Sequence, residues 1–372
     1  MKKATALILS FTLCMCVCLG LSSCVEKKGG NLTEFTVIDS PIEDNIWDMH
    51  LWENKIFFGT GDGNANTGPI TVYAYDLDTK EFFESGVLQE EVINSFLVVD
   101  NTFVAPGIDS TQNNNISNYN TYENGAWIQH RVLTNTEHCF DVVRFGNRYF
   151  YGVDADISYS PCFSTNKSDK DLTRHYFYKD GKRVTKGIES ARVFDLVIQR
   201  DSLYAIMSRD ENSTRVLEVY KYNEESNAFE YLSDLGEQAR VVPYINFKLI
   251  GSKVALNDKL FIATSLGYYT KNMIDFHKID FKGEYTLDYC LDGDTLYALC
   301  HFPLKNGQYE TSVWALDLTK ENVEFERILY FDSEYCCVNL VKTDDAFYFS
   351  TADINYRNDK KGAILRVDLI NE

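Results

Sequence analysis

Six histidines are the side chains in this 372-residue sequence best suited to acid–base or metal chemistry near neutral pH. Their spacing matches neither the HxH nor the HExxH pattern of a zinc site. The sequence also lacks a GxSxG motif, a P-loop and a Cys–His signature. We therefore predict no metal site, no cofactor and no catalytic motif. The histidines are His50, His130, His138, His175, His277 and His301.

A hairpin pattern recurs along the chain and must position any such side chain. An apolar run is followed by a short polar turn and a second apolar run, and a third strand such as VYAYD (72–76), VYKYN (219–223) or VWALD (313–317) comes next. Turn pairs such as Gly146-Asn147 tolerate the positive φ that tight hairpins need. The turns contain Asn54, Asn101, Asn147, Asp201, Asp258, Asp294 and Asp345.

The third strands recur with a mean period of about 49 residues. Four short strands fill such a repeat, which resembles the blade of a β-propeller. We expect an all-β, seven-bladed propeller over residues 32–372, with six or eight blades as alternatives. Two packed β-sandwich domains would not explain seven hairpins at one spacing. The predicted blades are 42–89, 90–134, 135–187, 188–236, 237–286, 287–332 and 333–372, the last completed by an N-terminal strand at 32–39 that closes the ring.

The propeller resemblance places the candidate ligand-binding residues. First strands line the central channel of a propeller, and His50, His138, Arg192 and Tyr244 lie on or near them. The connections between second and third strands are long in most repeats, which predicts one loop-rich face, and long loops on a rigid scaffold commonly bind partners. Drift of unselected polar loops is the alternative explanation. The candidates in these loops are Tyr268, Tyr269, His301 and Arg357.

The first residues form a targeting segment. Lys2 and Lys3 precede an apolar run at 4–21, and the sequence LSSC at 21–24 resembles the lipobox of bacterial lipoproteins. Of the four cysteines in this region, only Cys24 follows a small residue. The resemblance implies removal of residues 1–23, a lipid on Cys24, a tether at 24–31 and a location in the bacterial cell envelope, in the outer membrane or at the cell surface.

Charge and cysteine content limit the partners. Removing residues 1–23 takes away two lysines and no acids, so the formal charge changes from −19 to −21. This acidity, without any Lys/Arg cluster, argues against nucleic-acid binding and against anionic lipid surfaces as partners. Six cysteines remain after Cys24, and we expect mostly buried thiols with at most one or two disulfides. They are Cys139, Cys162, Cys290, Cys300, Cys336 and Cys337.

Two hypotheses for function follow. The first is a non-enzymatic, lipid-anchored propeller that binds an envelope protein or a glycan through its loop-rich face, and that contacts the membrane only through its lipid. The alternative is a carbohydrate-active enzyme, a polysaccharide lyase or glycosidase, with its site at the channel mouth and a His or Tyr as base. A lyase acting on uronic acids needs a positive pocket, which a charge of −21 does not favour.

Replacing the proposed lipid attachment site tests the targeting prediction. We expect Cys24→Ala to release the protein from membranes, because an acylated terminus buries many CH₂ groups at about 0.8 kcal/mol each. Sedimentation of membranes after a high-salt wash measures the bound fraction. A variant that still sediments with the membranes would contradict the lipoprotein prediction.

Overall fold

The computed structural model describes residues 29–62, 68–112, 116–155, 160–166, 172–184, 191–211, 214–235, 252–256, 258–264, 266–353 and 362–369. Every regular element within these ranges is a β-strand. Accordingly, none of them contains a helix of the length and apolarity that crossing a membrane requires. Cys24, Tyr244 and Arg357 lie outside the described residues.

The described part of the chain starts with two short strands and then forms a separate four-stranded sheet. In β5 of that sheet, aromatic and β-branched residues alternate with more exposed ones, the period that gives a sheet its packed faces. The strands are β1 (Asn31–Leu32), β2 (Thr36–Ile38), β3 (Ile46–Trp52), β4 (Lys55–Thr60), β5 (Ile70–Asp76) and β6 (Glu81–Leu88).

The second separate sheet has the order β12-β11-β9-β8. Two further short strands, β7 and β10, pair with each other, and β10 also pairs with β13 of the next sheet. The strands of this region are β7 (Glu90–Val92), β8 (Leu97–Val99), β9 (Thr102–Pro106), β10 (Ile108–Ser110), β11 (Ile116–Glu123) and β12 (Ala126–Thr134).

A twelve-stranded sheet follows, in which β14 pairs with β19 and β17 pairs with β22. It includes β7 and β10 together with ten strands of its own. These are β13 (His138–Phe145), β14 (Arg148–Ala155), β15 (Cys162–Asn166), β16 (Thr173–His175), β17 (Phe177–Lys179), β18 (Lys182–Arg183), β19 (Ala191–Gln199), β20 (Ser202–Glu211), β21 (Thr214–Asn223) and β22 (Ala228–Asp234).

Three separate sheets complete the fold. β1 adds to the edge of one of them by pairing in parallel with β30, and β2 pairs antiparallel with β33 of the last. The strands are β23 (Ser252–Leu256), β24 (Lys259–Ala263), β25 (Gly267–Thr270), β26 (Phe276–Lys278), β27 (Tyr285–Asp292), β28 (Thr295–Pro303), β29 (Tyr309–Asp317), β30 (Glu326–Ser333), β31 (Cys337–Lys342), β32 (Ala346–Thr351) and β33 (Ile364–Asp368).

The protein is an all-β propeller in which each of the five separate sheets forms one blade. The core lies between neighbouring sheets: Met49 and Tyr75 of the first sheet pack with Tyr348 of the last, and the ring of Phe57 lies 5.0 Å from that of Phe103 in the second sheet. We call the end that carries the hairpin turns between first and second strands the short-turn end, and the opposite end the loop-rich end. The predicted left-handed turn residues are confirmed at Asn54, among others.

The repeat pattern also predicts third strands around Tyr178 and Ile279, a long loop at 157–171 and a turn at Lys182. These predictions were wrong, because the third strands are β15 and β25, which precede the predicted segments. β15 lies within 157–171, and Lys182 lies in β18. The error arises because β15 is short and lies within a Ser/Asn-rich stretch, which resembles a loop in sequence.

Some predicted long loops are also shorter than expected. The hairpin of β20 and β21 stays paired up to Glu211 and Thr214, and only residues 304–308 separate β28 from β29. Polar residues in these segments continue the backbone hydrogen-bond ladder, because their side chains can point to a solvent-exposed face of the sheet. The loop-rich end therefore has fewer long loops than the sequence predicted.

Truncation tests the contribution of the N-terminal strands. Removing residues 29–39 deletes β1 and β2 and exposes the edges of β30 and β33, so we expect lower thermal stability and a tendency to aggregate. The matched control ends the deletion at Gly30, which removes no strand. A loss of about 3 °C or more in Tm relative to the control is expected. Equal melting temperatures would contradict a stabilising role for this pairing.

Candidate functional site

The innermost strands enclose a cavity of about 460 Å³. Its wall is formed by β3, β13, β19, β23, β27 and β31 together with the segment that leads into β8. Among the described residues, the first strands of six hairpins thus contribute to one cavity. The volume lies within the range of roughly 300–1,000 Å³ that is usual for small-molecule sites.

A repeated aspartate joins consecutive inner strands around this cavity. The N–H of Phe96 donates to Oδ2 of Asp48 at 2.6 Å. The N–H of Leu196 donates to Oδ2 of Asp141, also at 2.6 Å. In the same way the N–H of Leu340 donates to Oδ2 of Asp288 at 2.9 Å. In each of these hydrogen bonds, the aspartate precedes the donating residue in sequence and lies in a different hairpin. A charge-assisted hydrogen bond of this kind contributes about 1.5–3 kcal/mol.

A β-bulge directs these carboxylates. The register of the first hairpin shifts between Ile46 and Asp48, and equivalent shifts precede Asp141, Asp195, Asp288 and Asn339. An extra residue in one strand re-aims the side chain that follows it. The sequence contains a signal for this arrangement that the hairpin analysis missed, since each polar residue stands six positions before the Asn or Asp of its hairpin turn.

Lys253 occupies the centre of a buried ion cluster. Its Nζ contacts the carboxylate of Asp141, lies 3.0 Å from Oδ1 of Asp195, and donates to the carbonyl oxygen of Leu196 at 2.8 Å. Burial alone would lower the pKa of Lys253, but the two carboxylates outweigh it and raise the pKa. Burial raises the pKa of Asp141 to about 6 despite the nearby ammonium group. Lys253 is therefore a fixed cation and not a neutral amine nucleophile.

His50 lies in β3 on the cavity wall. Burial lowers its pKa, and the charge of Asp48 only partly opposes this effect. The imidazole is consequently neutral at physiological pH, and its ring lies 5.4 Å from that of Phe103. Of the sequence candidates, His50 is the one that reaches the central cavity among the described residues.

His138 and Arg192, both candidates from the sequence, meet at the loop-rich end. The Nδ1 of His138 lies 3.1 Å from Oδ2 of Asp154, and its Nε2 lies 2.8 Å from Oδ1 of Asp109. The Nε of Arg192 forms an ion pair with the same Oδ2 of Asp154, at 2.9 Å. Asp109, which lies on β10, was not identified from the sequence.

The two carboxylates fix the charge of His138. Burial would lower its pKa, but the hydrogen bonds and charges of Asp109 and Asp154 raise the pKa to about 9. Burial opposes ionisation of Asp154, yet His138 and Arg192 keep its pKa below the usual value. A cationic imidazole cannot accept a proton at neutral pH, so His138 is not positioned as a general base.

His138 and Asp154 also belong, with Glu137, to the one set of possible metal ligands among the residues that the structure describes. Ligand atoms of Glu137, His138 and Asp154 all lie within 4.8 Å of one another. Both ring nitrogens of His138 already point to carboxylates, however, and Arg192 brings a further positive charge to Asp154. These contacts fit a protonated imidazole better than a metal, which would require neutral His138.

His301 is buried in β28 and is not in a loop, which corrects its predicted position. Burial lowers its pKa to about 4, and its Nδ1 lies 3.5 Å from Sγ of Cys336. Burial also raises the pKa of the Cys336 thiol well above its usual range. Both groups are therefore neutral, and the pair does not form the thiolate–imidazolium couple of a cysteine nucleophile.

The paired tyrosines were also predicted to be loop residues, and both lie in β25. Tyr268 is buried, whereas Tyr269 packs against the ring of His277 at 5.0 Å. Neither lies on the cavity wall. The six cysteines that follow Cys24 all lie in the described part of the chain as free thiols, five of them buried.

Comparison with known proteins identifies the fold but no family. No protein-family model and no curated protein sequence matches this chain. Among solved structures, it is similar to polysaccharide lyase Uly1, with a TM-score of 0.50, 9% identity and 94% of each chain covered. It is similar to a PL25 ulvan lyase bound to -[GlcA(1-4)Rha3S]-, with a TM-score of 0.51, 9% identity, and 90% of this chain and 96% of that chain covered.

A third similar structure is BamB from Moraxella catarrhalis, with a TM-score of 0.42, 11% identity, and 85% of this chain and 82% of that chain covered. At 9% identity, the similarity to the two lyase structures establishes a shared fold only.

The charge of His138 can be tested by its effect on stability. Because its folded pKa is about 9 and its unfolded value is near 6.5, the stabilisation is complete below pH 6.5 and disappears as the pH rises towards 9. We expect the protein, but not His138→Gln, to lose up to about 3 kcal/mol over this range. Urea unfolding at pH 6 and pH 9.5 measures the difference. An NMR titration that places the pKa of His138 near 6.5 would contradict the assignment.

Proposed function

We propose that this protein is a lipid-anchored binding propeller of the bacterial cell envelope, which holds a protein or glycan partner through its loop-rich end and has no catalytic site of its own. The anchor rests on the lipobox-like sequence at 21–24. The binding role rests mainly on one observation, that the acid–base candidates are held in fixed charge states while aromatic side chains are exposed at the loop-rich end.

The proposal includes seven blades. Within the twelve-stranded sheet, β13–β16 and β19–β22 each repeat the antiparallel order of a separate blade, which adds two blades to the five. The last sheet has three strands from the C-terminal part of the chain, and β2 supplies its fourth. The pairing of β2 with β33 supports closure of the ring by the N-terminal strand.

The exposed rings belong to one sheet. Tyr285 begins β27 and is 38% exposed, and Phe302 near the end of β28 is 41% exposed. Tyr309 at the start of β29 packs on the buried ring of His301 at 5.6 Å. Large, rigid aromatic side chains at the edge of a scaffold are the residue types most enriched in partner contacts.

An enzyme of the lyase class remains the alternative hypothesis, but the described residues do not supply its machinery. His138 is cationic, His301 is buried beside Cys336, and the neutral His50 shares its cavity with more carboxylates than ammonium groups. A uronate substrate would be repelled there. The similarity to polysaccharide lyases is a similarity of fold, and fold alone does not carry function.

A pair of double variants tests the binding surface. We expect Tyr285→Ser with Phe302→Ser to reduce partner recovery from envelope extracts about tenfold or more, since truncated aromatic contacts often cost 2 kcal/mol or more. The control is Val98→Ser with Ile198→Ser, whose side chains are 47% and 39% exposed at the short-turn end. If only the control variant lost the partner, the binding surface would lie at the short-turn end, which would contradict the proposal. Release of unsaturated sugars from uronate polysaccharides by the unaltered protein would favour the enzyme.

A further inference from the structure

A buried amide without a hydrogen-bond partner lies on the wall of the central cavity. Asn94 is 6% exposed, and neither its Nδ2 nor its Oδ1 has a hydrogen-bond partner among the residues that the structure describes. Leaving a buried polar group unpaired costs about 1–3 kcal/mol, and such groups are rare in folded proteins. Asn94 offers one donor group and one acceptor to whatever occupies the cavity.

The segment around Asn94 is firmly placed. The N–H of Phe96 donates to Asp48, and the Oγ of Ser95 donates to the carbonyl oxygen of Phe140 at 3.4 Å. The segment therefore connects β3 on one side with β13 on the other. Its rigidity makes the unpaired amide a preorganised group, which binds a ligand without a further ordering cost.

His50 adds a second polar group to the same cavity wall. Its imidazole is neutral because burial lowers its pKa, and it makes no hydrogen bond to a described residue. A neutral imidazole has one donor and one acceptor nitrogen. Apolar surface lies nearby, since Phe140 and Phe194 also line the cavity with ring centroids 4.6 Å apart.

Charge excludes one class of ligand. Among the described lining residues, four carboxylates accompany two ammonium groups, so the cavity repels anions. The carboxylates are Asp48, Asp141, Asp195 and Asp288, and the ammonium groups are those of Lys253 and Lys342.

Access comes from the short-turn end. Leu51 and Leu291 line the cavity, lie three residues before their hairpin turns and are exposed to solvent. At the other end of β3, Trp47 packs in a buried apolar cluster with Val92, Ile108 and Val338 of other strands. The opening thus lies opposite the end that we propose for partner binding.

We propose that the central cavity is a binding site for a neutral mono- or disaccharide. Each sugar hydroxyl both donates and accepts, as the amide of Asn94 and the imidazole of His50 require. The C–H face of a pyranose ring matches the Phe140 and Phe194 surface, and a neutral ligand avoids the repulsion that a uronate would meet. The site is independent of the loop-rich end.

Binding measurements with simple sugars test the proposal. D-glucose and maltose are titrated into the detergent-solubilised mature protein by saturation-transfer NMR and calorimetry, with D-glucuronate and cyclohexanol as matched anionic and apolar probes. We expect at least one neutral sugar to bind saturably with a Kd at or below about 10 mM. We expect no saturable binding of D-glucuronate or cyclohexanol. Failure of both neutral sugars to saturate, or equal binding of glucuronate, overturns the proposal.

Two variants locate the binding. Asn94→Leu removes the amide and should weaken sugar binding at least tenfold without lowering the unfolding midpoint, because the amide has no partner to lose. Leu51→Trp narrows the mouth and should also weaken binding. Val98→Trp is its control, since Val98 stands at the same position of the next hairpin but does not line the cavity. Sugar binding that survives both cavity variants unchanged overturns the assignment, even if sugars bind elsewhere.

Discussion

The hydrogen bond from the backbone of one inner strand to a carboxylate of an earlier one is the interaction on which the rest of the structure depends. At Asp48, Asp141 and Asp288 it connects strands that are not paired in a common ladder. The bulge that precedes each carboxylate makes the contact possible by turning the side chain out of the regular alternation. These links add a directional contact to the apolar packing between blades, which by itself has no preferred direction.

The same links determine the chemistry of the cavity. Aspartates on four of the inner strands, β3, β13, β19 and β27, concentrate negative charge around the cavity. Lys253 neutralises only part of it by contacting Asp141 and Asp195. The carboxylates that join the strands therefore also make the cavity unfavourable for anions, which is the basis of the proposed preference for a neutral ligand. The whole chain also carries a net negative charge, and the cavity carboxylates contribute part of it.

The two ends of the propeller differ in the side chains that they expose. At the loop-rich end, His138 is cationic between Asp109 and Asp154, and exposed aromatic rings lie at the edge of the β27–β30 sheet. At the short-turn end, aliphatic side chains such as Leu51 surround the opening of the cavity. Our two proposals therefore assign a large partner to one end and a small molecule to the other. A rigid scaffold can carry both because the sites share no residue.

The sequence by itself determined the hairpins, because turn chemistry is local: Asn54 and Asn101 adopt positive φ and are flanked by apolar runs. The first hairpin strands and the all-β propeller architecture could be predicted on that basis. Only the tertiary structure decided that β15 is a third strand, since a short Ser-containing strand is recognised by its neighbour and not by its composition. It also decided that Asp109, His138 and Arg192 meet, and that Asn94 is left unpaired. These depend on how separate blades approach one another, and such long-range contacts leave no periodic signal in a single sequence.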